Sequence, residues 1–447
     1  MVVTRFCPTP SGQLHHGNLY MALLNYQFAK RCGGYFYVQI DDLASPFPPD
    51  EIIAGIIEDL DWIGLCPAEK VLFHSRNKQI YLEMLDKLEA EGWLRIKRMV
   101  IGCALAKVRI EQAGKPVHPR NVRASSCAQG VAAWIPFAAD PRHVLEDAGI
   151  TIVRGALGWR HDAFWCCDPK EEAPWLEFDL PRGRRPDKLS LDWWLPLPRQ
   201  VEVLGRKSPR LPWRRLARAC HKPERFPSYH LEKFTPTPDR GPELITFAAD
   251  SDIAQLRLCF KGFQAIEDYE MTVPPEPEII PYEDLCNGPR IAQRTVATPL
   301  RLFQFGRSAS DLVLGTTHVI RGDELVKELD LFVQCFHGLK QPWPILCHVP
   351  CLVDANGEKI SKSEGNAPPK PEGNAPRIVR ELRDQGLTPA QARHWIIANA
   401  YSNVKQPTPG HGFAAQMNLL AATVRRRPAQ RASLQQTEFS SLGSVQP

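Results

Sequence analysis

Arg5-Phe-Cys-Pro-Thr-Pro-Ser-Gly-Gln-Leu-His-His-Gly-Asn18 is the stretch whose reading decides the fold. Before it, Val2 and Val3 are apolar; after it, a helical spacing runs through Leu19, Leu23, Leu24 and Phe28. That order predicts strand, loop and helix, with Pro and Gly punctuating the loop. A loop leading into a helix start aims backbone N–H groups and the positive helix end at its ligand, which suits a triphosphate. His15 adds a side-chain donor at that rim, and Asn18 another. Gly17 removes a Cβ where a base or ribose would collide, and Gly12 lets the loop bend sharply. Alone, His-x-Gly-Asn reads more readily as a surface turn; its neighbours and a second, lysine-bearing stretch far along the chain reverse that preference.

This second stretch is Lys359-Ile-Ser-Lys-Ser-Glu-Gly-Asn366, a loop flanked by Gly357 and Gly365. Together the two stretches resemble the HIGH signature and the KMSKS loop of glutamyl-tRNA synthetases, class I enzymes of the Glu/Gln type. Further segments agree in order. Tyr35-Phe-Tyr-Val-Gln-Ile-Asp-Asp-Leu43 is similar to the family's second strand, and Glu58-Asp-Leu-Asp-Trp-Ile-Gly-Leu65 to the helix after it. Thr317-His-Val-Ile-Arg-Gly-Asp-Glu-Leu325 resembles a later segment, and His348-Val-Pro-x-Leu352 the strand before the KMSKS loop.

The resemblance implies an α/β fold: a doubly wound, Rossmann-like parallel sheet with a large insertion and a small C-terminal helical segment. It implies ATP with Mg2+, glutamate and tRNA as ligands, and catalytic roles for His15, Lys359 and Lys362. Lys362 would lie against the departing diphosphate, where a mobile cation stabilises developing charge. Ser361 and Ser363 would hydrogen-bond phosphate oxygens alongside Gly17 and Asn18, with Gly357 and Gly365 as hinges. Arg5, Thr9, Asp41, Phe303 and Arg321 would frame the amino acid, Arg5 by facing its side-chain carboxylate. Several positions depart from the family pattern. Asp41 stands where a glutamate is usual, Thr9 for serine, Phe303 for tyrosine and Gln39 for arginine, so the clustering suggests an altered amino-acid site.

Length and charge set outer limits. The 447 residues allow two to four domains, and a net charge of +5 permits RNA without requiring it. Thirteen cysteines lack paired Cys-x-x-Cys spacing, which favours reduced thiols in a cytoplasmic protein over zinc or disulfides. No stretch is apolar enough to span a membrane, and a motif this close to Met1 argues against a removable signal peptide.

Five segments are expected. Residues 1–94 hold the first half of the catalytic domain, 95–294 an insertion of acceptor-stem type, 295–345 the second half, 346–405 the KMSKS loop with a helical subdomain, and 406–447 a partly disordered tail. The insertion carries Pro181-Arg-Gly-Arg-Arg-Pro186, Trp193-Trp194 and Arg206-Lys-Ser-Pro-Arg-Leu-Pro-Trp-Arg-Arg215. Basic residues interleaved with tryptophan fit RNA, and fit nearly as well a solvated rim over packed rings. Only 84 residues follow Ser363 (447 minus 363), too few for the family's helical anticodon-binding region. Three functions remain open, in each case from a monomer: charging of tRNA with glutamate; transfer of the activated acid to a modified tRNA base, a small amine or a carrier protein; and a non-catalytic RNA-binding paralogue.

Overall fold

In the computed structural model, the strand Val3–Phe6 (β1) runs into the helix His16–Arg31 (α1), which returns the chain to the strand Tyr35–Ile40 (β2). The structure describes all residues except 44–49, 67–69, 101–103, 128–143, 146–151, 156–157, 162–164, 169, 195–196, 228–242, 249–251, 277, 351–377, 400–411 and 426–447. The chain divides into two units: 1–91 with 273–295 and 303–447, and 92–272 with 296–302.

In the first unit β1 and β2 pair in parallel, Val3 opposite Tyr35 through Phe6 opposite Val38. The helix α1 ends where Gly33 takes a left-handed conformation, φ +61, and Gly34 follows. Tyr35 N donates to Val2 O at 2.9 Å, and a Cβ on Gly34 would stand 2.1 Å from that same oxygen. Only glycine lets β2 begin this close to β1. Leu19, Leu23, Leu24 and Phe28 are fully buried, the helical stripe that the sequence spacing predicts.

The helices Asp50–Trp62 (α2) and Lys78–Ala90 (α3) flank the short strand Leu72–Phe73 (β3), which joins β2 in parallel. After the second unit come the hairpin Glu278–Asp284 (β4) and Gly288–Arg294 (β5), the helix Leu302–Val313 (α4) and the strand His318–Gly322 (β6). The helix Leu329–Gly338 (α5) and the strand Ile345–Val349 (β7) complete this half. Val3 N donates to Thr317 Oγ1 at 2.8 Å, and Thr317 N to Val3 O at 2.9 Å, which ties β1 to the start of β6. The strands β6 and β7 pair in parallel, and β7 pairs in parallel with β4. The strands thus lie as β3-β2-β1 and β6-β7-β4-β5, every pairing parallel except the β4–β5 hairpin. This is the doubly wound α/β arrangement expected.

Two boundaries differ from the sequence reading. Residues 296–302, assigned there to the second half of the catalytic domain, fall in the second unit. Residues 278–294, assigned there to the insertion, form the hairpin whose strand β4 pairs with β7. Their alternating, half-exposed pattern looks like an insertion strand, and only the long-range partner places them.

The helices Ile378–Asp384 (α6), Pro389–Asn399 (α7) and Phe413–Arg425 (α8) end the described chain. Thr388 precedes Pro389 as an N-cap: its N–H donates to Gln391 Oε1 at 2.9 Å and its hydroxyl accepts from Gln391 N at 3.4 Å. Val379, Leu382, Ala392 and Ile396 join Leu19, Leu23, Ile56 and Leu60 in one core. On α8, Met417 and Leu420 pack with Tyr20, Leu24 and Phe28, and Tyr20 Oη donates to Gln416 Oε1 at 2.8 Å. Burying each such aliphatic chain stabilises the unit by about 1.5–3 kcal/mol.

The second unit is almost entirely β. The strand Gln200–Arg206 alternates half-buried and buried residues, so Val201 and Val203 enter a core with Phe178, Phe260, Trp165 and Trp193. Trp193 is thereby a core residue, its indole N–H bonded to Glu243 Oε2 at 2.6 Å. Trp213 stacks under Arg206 and Arg257, at 4.1 and 4.3 Å from its ring centre. Both arginines are turned toward Glu177, Arg257 Nη2 at 2.5 Å and Arg206 Nη2 at 3.7 Å. Arg206 and Arg257 thus serve pairs internal to this unit, while Lys207, Arg210, Arg214 and Arg215 of the same basic run are exposed.

Candidate active site

Because β1, β2, β6 and β7 run parallel, their carboxyl ends share one edge of the sheet, the place where doubly wound folds take ligands. Phe6, Ile40, Gly322 and Val349 are those ends. From Phe6 the chain loops to His15, the N-cap of α1. Its Nδ1 accepts from Gly17 N at 3.1 Å, while its own N–H donates to Asn18 Oδ1 at 3.3 Å. Accepting at Nδ1 puts the ring proton on Nε2 in the neutral imidazole, which makes His15 a donor through Nε2. Asn18 uses its oxygen in the cap and retains Nδ2 as donor. Thus His15, Gly17 and Asn18 form one rigid turn at a positive helix end.

At the β2 end Asp41 is wholly buried. Thr9 Oγ1 lies 3.5 Å from Asp41 Oδ2, and Asp41 N donates to Pro8 O at 3.0 Å, which ties the β1 loop to this carboxylate. Arg307, on α4, reaches the same oxygen with Nε and Nη2, both at 3.3 Å, and sends Nη1 to Glu328 Oε2 at 3.0 Å. Phe303, one turn earlier, lies with its ring centre 5.3 Å from that guanidinium. Burial works against the charge on Arg307, yet Asp41 and Glu328 raise its pKa above the ordinary value.

Arg5 is held differently from the sequence expectation that it faces a substrate carboxylate. Its Nε donates to Asp311 Oδ1 at 2.9 Å and its Nη2 to the Arg307 carbonyl at 3.1 Å, with the side chain 6% exposed. Burial opposes its charge; Asp311, Cys7 and Tyr81 together outweigh burial and raise the pKa. Gln39 accepts from Ser310 Oγ and lies 3.4 Å from Arg5 Nη1. Beneath them Cys7 Sγ lies 3.3 Å from His74 Nε2. Burial, then the charges of Arg5 and Arg307, press His74 well below its usual pKa, and burial pushes the Cys7 thiol up to about 12.

Arg321, at the β6 end, has no carboxylate in ion-pair range among the described residues. Its Nε donates to His348 Nε2 at 2.6 Å, its guanidinium lies 5.1 Å from the Phe332 ring centre, and its Nη2 is buried without a hydrogen-bond partner. Burial lowers its pKa to about 10, with Asp311 and Glu328 raising it and Arg307 and Arg5 lowering it. His348 in turn donates from Nδ1 to Asp284 Oδ2 at 2.6 Å. The tautomer is therefore fixed, and both ring nitrogens are committed. Burial depresses the His348 pKa although Asp284 acts to raise it.

Lys359, Ser361, Lys362 and Ser363, with Gly357 and Gly365, lie outside the described residues. Val349, which precedes them, is the buried last residue of β7. Among the described residues no group of His, Cys, Asp and Glu is arranged to hold a metal, and no helix is long and apolar enough to cross a membrane. A cavity of about 500 Å3 lined by Gln27, Lys30, Arg31, Phe413 and Met417 sits at the far end of α1 from His15, and is therefore not the site that the strand ends form.

Sequence reasoning did not single out Arg307, Asp311 or the Asp284–His348 pair. For the first two a signal was present: Phe303, Arg307 and Asp311 are spaced four apart, one stripe on a helix. Asp284 had none, because it lies 64 residues from His348.

Residues 1–96 match the family described as tRNA synthetases class I (E and Q), catalytic domain. That segment thus carries a class I synthetase catalytic pattern of the Glu/Gln type. More particularly, the chain is similar to glutamate–tRNA ligases: it is 39% identical over 407 residues to glutamate–tRNA ligase 2 of Nitratiruptor sp., covering 91% of this chain and 59% of that one. It is 24% identical over 436 residues to glutamate–tRNA ligase 2 of Methylobacterium sp., 96% of this chain and 66% of that one. Glutamate–tRNA ligase 2 of Dinoroseobacter shibae is 42% identical over 92 residues, 21% of each chain. The chain thus spans less than two thirds of these relatives. Among solved structures, the glutamate-tRNA synthetase of Elizabethkingia anophelis aligns with a TM-score of 0.44 at 15% identity, over 94% of this chain and 66% of that one.

Proposed function

We propose that this chain activates glutamate with ATP, releasing diphosphate, and transfers the acyl group to tRNA. In the first step a substrate carboxylate oxygen bonds to the α-phosphorus as the bond to the β,γ-diphosphate breaks. In the second, the acceptor hydroxyl attacks the acyl carbon, AMP leaves, and the hydroxyl proton is lost. The observation that carries this reading is the shared strand edge: the His15 turn, Asp41, Arg321 and the end of β7 all lie at the carboxyl ends of parallel strands.

There the α1 N-terminus and His15 Nε2 would receive the triphosphate, with Mg2+ travelling on ATP. Arg321, without a carboxylate partner among the described residues, would take a substrate carboxylate. Lys359 and Lys362 would close from β7 over the departing diphosphate, with Ser361 and Ser363 on its oxygens. Lysines that come ten to thirteen residues after a strand end are within reach of that edge.

ATP–pyrophosphate exchange with glutamate tests this reading. Exchange that needs tRNA supports charging; exchange without tRNA moves the acyl group to another acceptor; no exchange under either condition refutes adenylation.

A further inference from the structure

The geometry points to Arg307 as a built-in occupant of the cation position beside Asp41, so that the pocket binds short dicarboxylic acids through their carboxylates and gains nothing from an α-ammonium. This deepens the adenylation reading by naming the acid class, and rests on it only for the exchange half of the test.

The charges at the strand edge carry the inference. Asp41 is wholly buried and holds Arg307 by two nitrogens at 3.3 Å each. Arg307 also holds Glu328 at 3.0 Å, and Arg5 holds Asp311 at 2.9 Å. Each of these three carboxylates therefore already faces a guanidinium. An arriving ammonium would have to displace Arg307 from Asp41 or sit against it, like charge to like charge. Among the described residues of this edge one guanidinium remains without a carboxylate, that of Arg321, with Nη2 buried and unpartnered and a neutral histidine on Nε. Asp284 reaches Arg321 only through the His348 ring, so Arg321 Nη2 is a buried donor that no described carboxylate meets and that a ligand carboxylate can satisfy. A second carboxylate then meets Arg321 while the first is presented to ATP.

Phe303 and Arg307 share one face of α4, and the guanidinium is caught between two carboxylates, so its position is set from both sides. A neutral side chain at 307 would free Asp41 to take an ammonium. Arg307 is thus a specificity-determining residue, and Glu328 is its second anchor.

Isothermal titration of the full chain with L-glutamate and with glutarate, the same skeleton without the amino group, reads the claim directly. Glutarate is expected to bind at least as tightly as L-glutamate. In Arg307→Gln, or in Arg307→Ala where that variant folds, the ratio should move at least tenfold toward L-glutamate. Tenfold tighter binding of L-glutamate by the unaltered protein overturns the proposal, as does an unchanged ratio in the folded variant, or no binding of either acid. The exchange assay separates this from the larger reading: the expected binding ratio without exchange for either acid removes adenylation and leaves the pocket assignment standing. Exchange with L-glutamate accompanied by a tenfold preference for it does the reverse.

Discussion

Replacing Asp284 by asparagine changes one atom and should cost far more than its size suggests. The carboxylate is fully buried. Its Oδ1 accepts from Cys286 N at 3.1 Å, Asn287 N at 2.9 Å and Asn287 Nδ2 at 2.6 Å. Its Oδ2 accepts from His348 N at 3.1 Å and His348 Nδ1 at 2.6 Å. An amide has one oxygen for these two groups of donors, so either flip turns an NH2 against N–H groups. His348 cannot relieve the conflict by moving its proton to Nε2, because Arg321 Nε–H already occupies that side at 2.6 Å. At least two bonds to a charged acceptor are lost, at about 1.5–3 kcal/mol each, which gives about 3–6 kcal/mol. That is a large part of the roughly 5–15 kcal/mol by which a typical domain is stable. Urea unfolding monitored by tryptophan fluorescence measures it, and the His348→Gln single and double variants complete a cycle whose coupling should exceed about 1 kcal/mol. An Asp284→Asn protein within about 1 kcal/mol of the parent, or strict additivity with His348→Gln, would falsify the account of this relay. The activity readout is separate: with Nε unheld, Arg321 should bind its carboxylate less well, raising the glutamate requirement more than it lowers the maximal rate.

Other expectations can be checked alongside. Lys362→Ala should slow pyrophosphate exchange by about a hundredfold, the scale of one lost transition-state contact, and an unchanged rate removes Lys362 from the reaction. His74 and His348 both have folded pKa values below 6.5, so they add no penalty above that pH. As pH falls through 6.5 the unfolded chain takes protons that the folded one refuses. Stability should then drop by up to about 1.4 kcal/mol per pH unit for each histidine, and denaturation midpoints that stay constant from about pH 7.5 to about pH 5.5 contradict the buried neutral rings. Gly34→Ala should cost on the order of 3 kcal/mol by forcing β1 and β2 apart at Val2 O, whereas Gly33→Ala pays only the left-handed backbone, about 1–2 kcal/mol. Equal midpoints for the two variants would contradict the close approach at Gly34.

The parts of the fold legible in sequence are those whose partners are near in the chain or whose spacing is self-reporting. Leu19, Leu23, Leu24 and Phe28 announce the buried stripe of α1 by period alone, and Thr388-Pro389 announces the start of α7, where Gln391 closes the cap within four residues. The hairpin 278–294 was not legible, because a strand half exposed along its length reads the same on an insertion as on a sheet edge until β7 appears beside it. The candidate site divides the same way. His15, Gly17 and Asn18 form a local turn, so their sequence order already contains their geometry. Charge pairing does not travel with sequence order: Arg5 meets Asp311 across 306 positions, and Asp41 meets Arg307 across 266. A sequence offers each of these as an isolated ion open to substrate. Folding pairs them first, because a buried ion without a partner is far more costly than one beside its counter-charge. Two arginines, Arg5 and Arg307, are thereby paired inside the fold, and Arg321, whose Nη2 is buried without a partner, is the one that the proposed reading turns toward a substrate carboxylate.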